Sequence, residues 1–113
     1  IAAVNYAGLS TSQYYDLAKK IAPKGAGAVF TFRLKGGYEA GVKLVSQVKL
    51  FSHLANIGDT RSLIIHPAST THRQLTAEQR ALAGAGDDVI RVSVGLEDKA
   101  DIIADLEQAF GTL

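Results

Sequence analysis

Val89 to Phe110 reads V-I-R-V-S-V-G-L-E-D-K-A-D-I-I-A-D-L-E-Q-A-F, and two hydrophobic periods meet inside it. From Val89 to Val94 the period is two: Ile90, Val92 and Val94 fall on one face of a strand while Arg91 and Ser93 fall on the other. After Gly95 the period lengthens to that of a helix. Ile102, Ile103, Leu106 and Phe110 form one stripe, Asp98 is the N-cap, and Asp101 stands near the positive end of the helix dipole. A strand with one apolar face and a helix with one apolar stripe bury both by laying the helix on the sheet. The stretch therefore predicts a layered α+β unit with Arg91 on the face turned away from the helix.

The rest of the chain follows the same plan. Ala28, Phe30, Phe32 and Leu34 alternate with Val29, Thr31 and Arg33 between Pro23-Lys24-Gly25 and Gly36-Gly37, which predicts a second strand. Leu44, Val45, Val48 and Phe51 then share one stripe of a helix from about Tyr38 to Phe51. Ser10 and Gln13 have the spacing of a capping box, as do Thr76 and Gln79, so helices are expected over Thr11 to Lys20 and from Thr76 to Leu82. His53 to Ile57, before the turn at Gly58-Asp59, and the β-branched Ser62 to His66 are counted as two more strands. Pro67 closes the latter, Ala68 to Gln74 reads as loop, and Gly84 and Gly86 stop the short helix. The order α-β-α-β-β-α-β-α predicts a two-layer sandwich: a small, mixed or antiparallel four-stranded sheet with helices on one face. In a chain of 113 residues the other, open face is expected to meet another domain or a ligand.

Composition narrows the function. With 47% hydrophobic residues, 20% charged and two prolines the chain folds, as one domain over residues 1–113. Twelve basic residues against eleven acidic give a net charge of +1, and neither sign forms a block, so no nucleic-acid or membrane partner is expected. The absence of cysteine excludes disulfides, thiolate metal sites and cysteine nucleophiles. Apolar runs such as Leu63 to Ile65 fall far short of the roughly 18 residues of a membrane span, which predicts a soluble protein. The chain opens at Ile1 and contains no methionine, so it is expected to be a piece of something longer.

Most candidate chemistry is outweighed by a plainer role. His53, His66 and His72 lack the i, i+4 spacing of a helical metal site, and no metal is expected. Ser69 lacks the G-x-S-x-G elbow and reads as a loop cap. Gly25-x-Gly27 and Gly36-Gly37 fit turns better than phosphate cradles, and Asp87-Asp88 and Glu97-Asp98 fit turns or helix starts. Arg91 differs, because a guanidinium in mid-strand calls for a partner. It either grips a carboxylate through two parallel hydrogen bonds or forms a structural ion pair across a domain boundary, and the pattern alone favours neither.

Three motifs carry a resemblance: K-L-F-S-H-L-A-N-I-G-D at Lys49 to Asp59, S-L-I-I-H-P-A-S-T-T-H at Ser62 to His72, and R-V-S-V-G-L-E-D at Arg91 to Asp98. In this order they resemble the C-terminal, substrate-side domain of the pyridoxal-phosphate enzymes of cysteine and methionine metabolism, over nearly the whole chain. The histidine and asparagine of H-L-A-N make the O-acetylhomoserine sulfhydrylase branch the most similar; methionine γ-lyase, cystathionine γ-synthase and cystathionine γ-lyase share the last motif. The resemblance implies a cytoplasmic transferase, homotetrameric as a whole. It replaces the acetate of O-acetylhomoserine by sulfide or methanethiol, giving homocysteine or methionine, with pyridoxal phosphate as electron sink. It implies that Arg91 binds the substrate α-carboxylate, with Asn56 and Thr71 beside it. The family's cofactor lysine stands in a serine/threonine-rich context that none of Lys19, Lys20, Lys24, Lys35, Lys43, Lys49 or Lys99 has. The large cofactor-binding domain is thus expected to be absent from this chain, which alone would hold no cofactor and contain no catalytic residue. The rival expectation is a free-standing α+β binding or dimerisation module.

Overall fold

The computed structural model describes residues 1–113. In chain order the elements are β1 (Ala3–Asn5), α1 (Tyr15–Ile21), β2 (Val29–Arg33), α2 (Gly37–Gln47), β3 (Leu63–Ile65), α3 (Ala77–Leu82), β4 (Val89–Ser93) and α4 (Lys99–Phe110), with one 3₁₀ turn at Pro67–Ser69. The strands form a single sheet in the order β1-β2-β4-β3. Every neighbouring pair is antiparallel.

Register decides which side chains meet. Phe32 lies opposite Ile90, and Phe30 and Ile64 lie on either side of Val92, so these apolar residues share one face. There Leu44 and Val45 of α2 and Ile102 and Ala109 of α4 close the core around Phe32, Ile64, Ile90 and Val92. Thr31 and Ile65 flank Arg91 on the opposite face. That face is closed over β3, where Leu63 and Ile65 are 2% and 5% exposed, and opens over β2 and β4. Thr31, Arg91 and Ser93 are half-buried there, and Val29 is exposed. At its rim, Ala81 of α3 lines a groove of about 360 Å³ with Asn5, Thr31, Arg33 and Val89.

Several sequence expectations are corrected. The sheet has four strands, but His53 to Ile57 is not one of them; the region contributes only an isolated bridge from Ser52 to Leu63. Its backbone is taken by side chains instead: Asn56 Oδ1 accepts from the Ile57 amide and Asp59 Oδ1 from the Arg61 amide, each at 2.9 Å. Such local bonds compete with a strand ladder. The fourth strand is β1, which pairs at the edge and has no buried residue.

Helix α1 begins at Tyr15, later than expected, because consecutive turns occupy the preceding residues, and no side chain caps it. Helix α2 ends at Gln47, short of Phe51. The carboxylate of Asp105 accepts from the amides of Lys49, Leu50 and Phe51, which a continuing helix would have used, and Val48 is extended. The expected loop after Pro67 starts with the 3₁₀ turn, closed by the Ser69 and Thr70 hydroxyls donating to the His66 carbonyl. By contrast the capping box of Thr76 and Gln79 is fully formed, and Asp98 caps α4 by accepting from the Ala100 amide. No helix is long and apolar enough to cross a membrane.

Candidate functional site

Arg91 stands at the middle of β4, half-buried between Thr31 and Ile65 on the open face. The ion pairs of the chain join Arg33 to Asp88, Arg61 to Asp59 and Arg80 to Asp87, and none involves Arg91. No acidic side chain of this chain is paired with it. The planar fork of arginine is suited to two parallel hydrogen bonds from a carboxylate or phosphate.

The loops on either side of β3 carry the other expected residues. Asn56 is exposed; its Nδ2 donates to Asp59 Oδ2 at 3.4 Å. Thr71 is also exposed, with its hydroxyl 2.8 Å from His72 Nδ1. No hydrogen bond joins Arg91, Asn56 and Thr71. Ser62, which is wholly buried, ties the segment after the Asn56 loop to the segment that leaves β4. Its amide donates to Glu97 Oε1 and its hydroxyl to Glu97 Oε2, both at 2.8 Å, while the hydroxyl accepts from the Gly95 amide at 2.9 Å. The Ser62 amide and hydroxyl hold the Glu97 carboxyl below the usual carboxylate range.

Glu97 was expected to serve a turn; it instead links two segments 35 residues apart, a role with no signature in local sequence. Arg61, through its side chain and then its amide, holds Asp59 far below the usual range, and Asn56 Nδ2 donates to the same carboxylate. The other charged candidates are structural. Asp87 and Asp88 pair with Arg80 and Arg33. His66 is buried, its Nε2–H donating to the Asp87 carbonyl at 2.8 Å, its Nδ1 2.9 Å from the Ser69 hydroxyl, and its ring edge-on to Tyr38. No three His, Asp or Glu side chains are grouped as metal ligands.

The family model of the Cys/Met metabolism PLP-dependent enzymes matches residues 1–111. The chain belongs to that family. It is 53% identical over 109 residues to O-acetyl-L-homoserine sulfhydrylase 1 of Thermus thermophilus, covering 96% of this chain and 26% of the relative. It is 52% identical over 105 residues to an L-methionine gamma-lyase of Fusobacterium nucleatum, covering 93% and 26%. A crystal structure assigned as an O-acetylhomoserine (thiol)-lyase of Campylobacter jejuni, carrying N'-pyridoxyl-lysine-5'-monophosphate, superposes with a TM-score of 0.86 at 44% identity, covering 96% and 26%. The chain thus spans about a quarter of the length of these relatives.

A pyridoxal-phosphate enzyme of this family needs an amine positioned for the cofactor, and the residues present do not fit that task. All seven lysines are exposed. The strands' open-face positions are Ala3, Asn5, Val29, Thr31, Arg33, Leu63, Ile65, Val89, Arg91 and Ser93, with no lysine among them. The cation on that face, between Thr31 and Ile65, is Arg91.

Proposed function

We propose that this chain is the C-terminal, substrate-side domain of an O-acetylhomoserine sulfhydrylase, in which Arg91 grips the α-carboxylate of the amino-acid substrate. The observation that carries the reading is a half-buried arginine, Arg91, on an open sheet face with no acidic partner in its own chain. Asn56 and Thr71 line the approach to the same carboxylate. The rest of the enzyme supplies the cofactor and its lysine, and the protein works in the cytoplasm as a homotetramer. Acetate leaves the substrate's Cγ, and sulfide or methanethiol takes its place. The role of this domain is to bind and orient the amino acid by its charged end, which does not react.

Arg91→Ala in the full-length protein tests this. Losing a bidentate charge-assisted contact costs about 2–5 kcal/mol, so kcat/KM for O-acetylhomoserine should fall about thirtyfold to several thousandfold, with cofactor binding intact. Arg91→Lys should recover part, since an ammonium lacks the fork. A lower melting temperature with unaltered kcat/KM per folded molecule would instead make Arg91 a structural ion pair between domains.

A second reading, a lyase acting on methionine, has a specific support: the Fusobacterium L-methionine gamma-lyase is as similar as the sulfhydrylase relatives. Methanethiol release from methionine without an acetylated substrate would select it. Arg91 has the same role in either case.

A further inference from the structure

Alternate residues of the motif Arg91 to Glu97 do different jobs. Arg91 and Ser93 lie on the open face, while Gly95 and Glu97 turn back against the segment that enters β3. There the Leu96 amide donates to the Thr60 carbonyl at 2.9 Å, Gly95 to the Ser62 hydroxyl, and Ser62 to both oxygens of Glu97. A side chain at Gly95 would collide with the backbone of Thr60, Arg61 and Ser62, so the two segments are packed backbone to backbone. On one side of this clamp is β4 with Arg91. On the other is the loop 56–61, where Asp59 accepts from the Arg61 amide at 2.9 Å, from its guanidinium at 2.8 Å and from Asn56 Nδ2 at 3.4 Å.

We propose that Glu97, acting through Ser62, is a positioning residue that sets the Asn56 loop and the Arg91 strand at the separation at which both reach one carboxylate. The inference rests on the assignment of Arg91 to the substrate carboxylate. The chemistry of the clamp supports it. Ser62 presents two donors to Glu97, and a carboxylate is the side chain that accepts both in parallel. Glutamine accepts one and leaves the buried hydroxyl proton without its partner. The clamp holds groups with no hydrogen bond between them, so its effect should appear in recognition of the carboxylate and not in the reacting end of the substrate.

The test uses the full-length protein, with O-acetylhomoserine as substrate and 3-aminopropyl acetate, the same molecule without its carboxylate, as competitive inhibitor. In Glu97→Gln, KM for O-acetylhomoserine should rise about tenfold with kcat within about twofold, and the inhibition constant of 3-aminopropyl acetate should not move. Ser62→Ala, which removes the hydroxyl and adds no bulk, should act in the same direction and decides the matter if Glu97→Gln does not fold. In an Arg91→Ala background, Glu97→Gln should add little, because the two changes disturb one recognition. An unchanged KM in the folded Glu97→Gln and Ser62→Ala variants would overturn the proposal, as would parallel losses for substrate and inhibitor. If Arg91→Ala itself leaves KM unaltered, the carboxylate assignment fails. If Arg91→Ala raises KM while Glu97→Gln is silent, only the clamp fails.

Discussion

At the scale of the residue, the requirement at position 95 is for space. Gly95 does not have a positive φ, so another residue could adopt its backbone conformation, but an added methyl would strike the main chain of residues 60–62. Main chain cannot swing aside as a flexible side chain can. Gly95→Ala should therefore destabilise the fold by about 1–3 kcal/mol through overpacking, read as a lower denaturation midpoint. Gly86→Ala is the control. Its new methyl would meet Asp88 Oδ1 at 3.4 Å, an ordinary contact, and the midpoint should stay near that of the wild type. Equal losses at both positions would show that the close approach at Gly95 has no special cost.

At the scale of the element, the ends of helices explain both what sequence revealed and what it concealed. Ser10-x-x-Gln13 and Thr76-x-x-Gln79 share one spacing, yet only the second forms the box. The turns before Tyr15 put the first helix start beyond the reach of Ser10, and α1, which buries no residue, has no packing to pull it back. The strands β2 and β4 were legible because alternation is local, and so was Arg91 on the open face. Edge strand β1 was not, since three exposed residues carry no pattern. Nor was the Ser62–Glu97 clamp or the cap that Asp105 provides, because their partners are far apart in the chain.

Asp105 has a measurable consequence. Burial pushes its carboxyl up, but the amides of Lys49, Leu50 and Phe51 and the side chain of Gln108 outweigh this and hold it below the ordinary value. A lowered carboxyl contributes stability above its unfolded pKa of about 3.9, and that contribution is lost as pH falls through the folded value. Asp105→Asn would turn an amide donor toward backbone donors, at a cost of about 1–3 kcal/mol at pH 7. The gap between wild type and variant should narrow as pH falls below about 4. Urea midpoints at neutral and acidic pH measure it, and a gap independent of pH would refute the charged cap.

At the scale of the whole molecule, arginine and lysine are placed differently. Arg91 is half-buried on the open face, while all seven lysines are exposed. An exposed amine is hydrated and enclosed by nothing, so any bond it makes to an aldehyde is reversible and unselective. A retained cofactor needs an enclosed amine and groups that hold its phosphate, and the open face presents neither lysine nor closure. The 113-residue chain mixed with pyridoxal phosphate should therefore lose the cofactor's visible absorbance on dialysis and release no acetate from O-acetylhomoserine. Chromophore surviving dialysis at one equivalent per chain would overturn this, and replacing each lysine in turn by arginine would show which amine had been misjudged. If none survives, adding the remaining part of the enzyme as a separate polypeptide should restore acetate release only when the added chain pairs with this one. If Arg91 grips the substrate carboxylate as proposed, the Arg91→Ala form of the 113-residue chain should then restore far less.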